Sequence, residues 1–380
     1  MSLHVITFTR EEHYIRKFLE LPGRLYSRKE LMQKPDEERQ ILTGTHILSH
    51  YFTVFPFLVL DENDAPVSRA LLTVYPDDTD AFLGFFESEE NGEAVALLFK
   101  KAEETARVQH CRRIVGPVDA SFWIRYRFKV NCFDHTYTGE PCNKQYYAAL
   151  WRKAGYEITE KYYSNHYRIV ERSHSNPLYA SRLTDKLQEG YRIVSPSKET
   201  FDSTLNEVYD LLIELYRSFP AYKRITREEF VSLYSYLKLL IRYPMVKMAY
   251  YQEKAVGFFI SIPDYQNMVY QKLTPLNILR ILFTRAKPKS YVMLYMGIDD
   301  AHHGLGKAMA ESIKMELSAC GLPSVGALIR QGNVNRDYFR ELIDYEYAYV
   351  LLSKDLSCAS AQHTAQHAAA HAQQHSRCKI

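Results

Sequence analysis

Residues 294–309 read Leu294-Tyr-Met-Gly-Ile-Asp-Asp-Ala-His-His-Gly-Leu-Gly-Lys-Ala-Met309, and no other stretch of the chain says as much about its fold. An apolar run enters a tight polar turn, two glycines follow with one residue between them, and the pattern then turns helical as far as Ala319. A helix N-terminus offers unpaired N–H groups and a partial positive charge. Glycines at 304 and 306 let an anion come close to that backbone, so the loop suits a pyrophosphate. An ordinary strand-to-helix turn would read the same way. It is not a Walker loop, which needs Gly-Lys-Ser/Thr, and it lacks the third glycine of the Gly-x-Gly-x-x-Gly dinucleotide motif.

Outward from this loop the same order of elements reads twice. Residues 191–194 are a predicted strand, 201–216 and 227–241 amphipathic helices, and 245–252 and 255–262 the arms of a hairpin. The strand at 291–296 and the helix at 305–319 follow, then a strand at 325–329, a short helix, and a strand at 347–352. Earlier in the chain, a strand at 5–8 leads to a helix whose start is marked by Thr9 and Glu12. A hairpin (56–60 and 67–75), a strand (81–86), a helix (92–109), a strand (113–116), a helix (143–153) and a strand (163–170) complete the first half. A diverged internal duplication accounts for this, and the fold class is mixed α/β. The boundaries read from the pattern are 1–172 and 188–356, joined by the polar stretch 171–187, with a separate tail at 357–380.

Composition agrees with two folded domains. The 380 residues exceed one ordinary domain and fit two of about 150–190. With 46% hydrophobic and 24% charged residues, and only 15 Gly and 15 Pro, collagen-like and disordered classes are excluded. A net charge of +3 gives no reason to expect a nucleic acid or a membrane surface as partner. No apolar run approaches the ~18–20 residues that span a bilayer, and the first residues lack the pattern of a signal peptide. A cytoplasmic location is the expectation. The 6 cysteines are too dispersed for a disulfide framework.

The tail is mostly Ala, Gln and His, with His363, His367, His371 and His375 at helical spacing. Such a spacing can chelate a divalent metal, but no carboxylate completes a set. The tail is expected to be low-complexity with solvated histidines and no metal site.

Residues 294–309 also align without gaps to the acyl-CoA segment of the GNAT superfamily of N-acetyltransferases, whose core is Arg/Gln-x-x-Gly-x-Gly/Ala, and the chain resembles that family. Asn333, a following amphipathic helix and a closing aromatic strand sit where the family's second CoA-contacting region falls. More narrowly, the chain is similar to a bacterial group of tandem GNAT-like proteins. The matching segments are Phe18-Leu-Glu-Leu-Pro22 with Leu25-Tyr26, Gly84-Phe-Phe-Glu-Ser88, Gly116-Pro-Val-Asp119, Glu140-Pro-Cys-Asn-Lys-Gln-Tyr-Tyr147 with Gly155-Tyr156, and Ile262-Pro-Asp264. The resemblance covers residues 3–355.

The resemblance implies two tandem GNAT-like domains and acetyl-CoA as the acyl-donor cosubstrate. It assigns Leu294, Tyr295 and Met296 to pantetheine, and the loop from Ala301 through His302, His303, Gly304, Leu305, Gly306 and Lys307 to Ala308 to the pyrophosphate, with Asn333 as a second contact. Two positions depart from the pattern. Ala301 stands where the family has Arg or Gln, leaving Lys307, His302 or His303 to supply charge. Arg340 stands where a Tyr often protonates the leaving thiolate, and Tyr338, close by, falls on a different face of the expected helix.

Amine acylation needs a base for the ammonium proton and an acid for the thiolate. Asp299 and Asp300 are candidate bases or a solvated turn, His302 and His303 titrate in a useful range, and Tyr338 is the candidate acid. Positioning and backbone N–H groups can carry much of such a reaction. In the first half the corresponding loop holds Glu87, Glu89, Glu90 and Glu93, which would repel a pyrophosphate, so that half is expected not to bind CoA.

The leading reading is therefore an N-acyltransferase acting on a small-molecule or peptide amine through its C-terminal half. The alternatives are a catalytically silent scaffold of the same fold, favoured by Ala301 and Arg340, and a Fem-type aminoacyl transferase, which would not need the glycine loop. The insert at 263–289, rich in Lys, Arg, Leu and Tyr, is either part of the acceptor site or a solvated basic surface.

Overall fold

The structure, a computed structural model, describes residues 2–356. The histidine tail lies outside the described residues. The first half comprises β1 (His4–Thr7), α1 (Glu12–Leu25), α2 (Pro35–Thr43), β2 (Thr53–Leu60), β3 (Pro66–Val74), β4 (Asp80–Ser88), α3 (Gly92–Val108), β5 (Arg113–Gly116), β6 (Phe128–Lys129), α4 (Tyr147–Lys153) and β7 (Glu157–Tyr167). After the linking helix α5 (Pro177–Gln188) come β8 (Arg192–Val194), α6 (Phe201–Leu215), α7 (Arg227–Tyr234), α8 (Leu237–Leu240), β9 (Val246–Tyr251), β10 (Lys254–Pro263), α9 (Pro275–Ala286), β11 (Tyr291–Ile298), α10 (Leu305–Cys320), β12 (Ser324–Arg330) and β13 (Ile343–Asp355).

All strands join one mixed sheet in the order β1-β2-β3-β4-β5-β13-β7-β12-β11-β10-β9-β8, with β6 paired to β13. The order is palindromic about β13 and β7, and each of these two strands lies in the other half. β13 pairs with β5 from Leu352↔Gly116 to Asp355↔Arg113, while β7 pairs with β12. Among the described residues only β4–β5 and β11–β12 are parallel.

A buried polar chain crosses this exchange. The Lys129 ammonium meets the Glu140 carboxylate at 3.0 Å, and Tyr349 on β13 donates to the same carboxylate at 2.6 Å. Tyr137 bridges Tyr349 (2.9 Å) and Ser164 on β7 (2.8 Å), and Ser164 Oγ accepts the amide of Leu328 on β12 at 2.8 Å. Leu328 has φ +60 and sits where the β12–β7 register shifts, so the chain ends on a bulge. Burial raises the Glu140 pKa, opposed by the neighbouring Lys129 charge.

Several predicted elements differ. The segment 171–187 holds a twelve-residue helix, α5, opened by the Asn176 side chain, which accepts from Leu178 N, and by Pro177. The helix expected from 143 starts at Tyr147, because Asn143 folds its amide onto both N and O of Lys129 instead. The helix expected over 227–241 breaks into α7 and α8 at Ser235-Tyr236. The amphipathic helix expected after Asn333 is two short 3-10 turns, since Phe339 takes a left-handed φ of +48 between them. No helix among the described residues is long and apolar enough to cross a membrane.

Removing Glu140 leaves the Lys129 ammonium buried without its carboxylate. Glu140→Ala is expected to lose about 3–5 kcal/mol in urea unfolding, against about 1.5–3 kcal/mol for Tyr349→Phe, which removes a hydrogen bond to a buried carboxylate but no charge.

Candidate functional site

In each half the two parallel strands pair over three residues and then separate. β11 and β12 pair from Tyr291↔Ser324 to Met293↔Gly326, and β4 and β5 from Asp80↔Arg113 to Phe82↔Val115. Beyond those points the two notches differ.

The β4–β5 notch is filled by the chain itself. Val118 N donates to Leu83 O at 2.9 Å, and the Asp119 carboxylate, held by Arg125 at 2.6 Å, accepts the amide of Phe85. Gly84 is required there, because a Cβ would lie 2.0 Å from Val118 O. The helix that follows, α3, is capped by Asn91, whose side chain accepts from Glu93 N and Ala94 N. Of the four acidic residues expected to face a phosphate, Glu87 instead points inward and accepts from the Tyr147 hydroxyl at 2.7 Å. The other three remain on the solvent side of the loop.

The β11–β12 notch is open. Among the described residues, β11 has no strand partner on its β12 side from Leu294 to Ile298; on its other edge Tyr295 to Ile298 pair with β10, and Leu294 falls at the register shift between Ile260 and Ser261. Gly304 caps α10 with φ +81 and no side chain cap. The amides of His303, Gly304, Gly306 and Lys307 donate to no acceptor among the described residues, whereas Leu305 N bonds His302 O and Ala308 N bonds Gly304 O. Unpaired N–H groups at a helix N-terminus can receive an anion.

Cations that the sequence reading missed stand beside it. α5 packs along α10, and a Cβ built on Gly304 would lie 3.6 Å from Arg182 Cδ and 3.8 Å from Lys186 Cε. Lys186 is paired with Glu189 at 2.7 Å, while Arg182 makes no ion pair among the described residues. These two, one helical turn apart, bring two basic side chains to the backbone at Gly304. The Asn176-Pro177 helix-start signature was the available signal for them.

The structure brings most of the candidate residues together. A cavity of about 610 Å³ is bordered by Leu294, Tyr295, Met296, Asp299, Asp300, His302, His303, Gly304, Gly306, Asn333 and Tyr338. Asp299 and Asp300 are the carboxylates of that lining. Asp299 Oδ1 accepts Ala301 N at 3.0 Å and so braces the turn; Asp300 is exposed. His302 is tied by Nδ1 to the Tyr191 hydroxyl at 2.7 Å and held edge-on to Tyr191 and Tyr251. Lys307 reaches the Tyr179 ring, and Ala301, exposed, and Leu305 and Ala308, buried, lie outside the lining. Asn333 accepts from Asn335 N at 3.4 Å. Tyr338 is not turned away as the expected helix would have it: a Cβ on Gly306 would meet its hydroxyl at 2.6 Å. Burial, with nearby Tyr179, pushes the Tyr338 pKa up to about 12. Arg340 is exposed.

The cavity continues into the first half, where Phe122, Trp123, Tyr126 and Arg127 are among its lining, and no residue of the 263–289 insert lines it.

No family model matches the chain, and no curated protein does. Among solved structures, it is similar to a tandem GNAT protein from the clavulanic acid biosynthesis pathway, with 11% identity and a TM-score of 0.49 over 93% of this chain and 99% of that one. A probable N-acyltransferase from Enterococcus faecalis V583 gives 11% and 0.48 over 94% and 73%. A GCN5-related N-acetyltransferase from Sphaerobacter thermophilus gives 10% and 0.47 over 93% and 96%.

Burial holds the Glu87 carboxyl above its ordinary value, with Arg69 and Tyr147 opposing. The unfolded chain ionises this group at lower pH than the folded protein does, so its contribution to stability is lost as pH rises through the folded value. Glu87→Gln, which cannot ionise, is expected to melt with wild type near about pH 4 and above it at about pH 8. Scanning calorimetry at both values checks this.

Proposed function

We propose that the protein is an acyl-CoA-dependent N-acyltransferase, with acetyl-CoA as donor, and that its C-terminal half, residues 188–356, holds the donor. The observation that carries this is the difference between the two notches: one is closed by Val118 and Asp119, the other has a bare strand edge leading to four unpaired amides. A pantetheine arm carries amides that suit the free edge at Leu294, Tyr295 and Met296, and a pyrophosphate suits the amides of His303, Gly304, Gly306 and Lys307 with Arg182 beside them. The first half, residues 1–172, holds no donor in this reading and serves the acceptor side.

The reaction joins the amine nitrogen to the thioester carbonyl carbon and breaks the C–S bond. The ammonium gives up protons, one of which returns to the departing thiolate. Tyr338, neutral up to about pH 11 with a value of about 12, is the acid. Asp299 and Asp300 are the carboxylates bordering the cavity that can receive the ammonium proton. His302, pinned by Tyr191, shapes the loop. The acceptor is an amine, and the site is expected to work in the cytoplasm without nucleic acid.

Calorimetric titration with acetyl-CoA tests the reading. Wild type and Gly92→Glu, a change in open space at the start of α3, are expected to bind one equivalent at about micromolar affinity. Gly306→Glu, which drives a side chain into Tyr338 at the start of α10, is expected to bind none. Absence of binding in wild type would leave a silent scaffold or a tRNA-dependent aminoacyl transferase. Once an acceptor is in hand, Tyr338→Phe is expected to lower kcat about 10- to 100-fold with little change in the KM for acetyl-CoA.

A further inference from the structure

We propose that the acceptor amine carries a carboxylate next to an apolar side chain, as a free amino acid does, and that Arg127 receives that carboxylate. The word acceptor rests on the acyltransferase reading; the carboxylate site stands on Arg127 alone.

Arg127 is 7% exposed and borders the cavity. Its guanidinium lies 3.8 Å from the centre of the Tyr126 ring and 4.3 Å from that of Tyr162. An arginine keeps its charge in any such setting, and a buried charge without a counter-ion is costly. The other arginines that reach inward in this half have one: Arg69 meets Glu38 at 2.8 Å and Arg125 meets Asp119 at 2.6 Å. Arg127 has no ion pair among the described residues. Its Nη1 reaches Leu328 O at only 3.5 Å, and its buried Nε donates to nothing. Glu160, which shares the Tyr126 and Tyr162 surroundings, is taken at both oxygens by Arg330, at 2.9 and 2.7 Å. Arg127 also holds φ +78, a conformation that residues with a side chain rarely adopt.

A guanidinium fork pairs bidentately with a carboxylate or a phosphate, and with the donor's phosphates placed at the start of α10 the group left for Arg127 is a carboxylate. The other cations at this end, Arg125 and Arg330, are held by Asp119 and Glu160, and the remaining lining is aromatic, with Phe122 and Trp123 from one half and Tyr216, Phe219 and Tyr234 from the other. That lining suits a large apolar side chain. In an α-amino acid the amine is one carbon from the carboxylate, so binding at Arg127 puts the nucleophile inside the cavity that opens on β11. The first half, with its own notch closed, then contributes the acceptor's anchor.

The test is calorimetric titration with L-phenylalanine, L-tryptophan and L-leucine, each beside its carboxamide, and with acetyl-CoA on the same samples. Wild type is expected to bind at least one of the acids at least tenfold more tightly than its amide. Arg127→Met, which removes the charge but keeps much of the bulk, is expected to lose that preference, and Arg127→Lys to keep part of it. Ligand-free Arg127→Met is expected to melt no lower than wild type, because an unpaired buried charge has gone. If wild type binds amide and acid alike, or binds none of the acids while binding acetyl-CoA, the proposal is wrong and the acyl-CoA reading stands. If Arg127→Met melts well below wild type and keeps the acid preference, Arg127 is a structural clamp on Leu328 and the proposal is again wrong. If an acid binds through Arg127 and acetyl-CoA does not bind, the carboxylate site stands and the transferase reading falls.

Discussion

Each half of this chain ends in the strand that the other half needs. β13, last in sequence, is inserted between β5 and β7, and β7 in turn pairs with β12, so neither half has a complete sheet of its own. The long antiparallel pairing of β13 with β7 runs from Ile343↔Tyr167 to Ser353↔Glu157 at the centre of the molecule. Two charges and three hydroxyls are buried beneath it, Lys129, Glu140, Tyr349, Tyr137 and Ser164, and all find partners in one another. Such a network is tolerable only when every member is satisfied, and it demands one register of the exchanged strands.

That constraint reaches the site through Leu328. Ser164 takes the Leu328 amide out of the regular ladder, and β12 leaves β11 after Gly326. An open strand edge results at Leu294–Ile298. In the first half the equivalent edge is used up by Val118 and Asp119, and the helix end beyond it by Asn91. With its own notch plugged, the first half contributes its segment at 122–127 to the lining of the cavity on which the open notch borders.

Local signals carried the sequence reading a long way. The Gly304 and Gly306 loop, the hairpins and the helices α3 and α10 follow from turn residues and periodicity, which act over a few neighbours. The strand exchange does not, because β13 and β5 are more than two hundred residues apart and their pairing depends on long-range packing. Gly116-Pro-Val-Asp119 stood out as a segment, yet its role as a plug needs the register of β4 to be known. Arg182 and Lys186 were hidden by a polar stretch that reads as a linker, although Asn176-Pro177 marks a helix start. Tyr338 was misplaced because the turn at Phe339 is left-handed, a conformation that nothing in that residue type announces. Arg127 sits in Arg125-Tyr-Arg127, where charge argues for exposure and only the fold shows otherwise.

The central claim is that one notch of two takes the donor. The most direct measurement is a crystal structure of the protein with acetyl-CoA. The account predicts electron density for pantetheine between β11 and β12 and for pyrophosphate at the start of α10, with Val118 and Asp119 still seated on β4. Density between β4 and β5, or a donor bound away from the β11 edge, would contradict it.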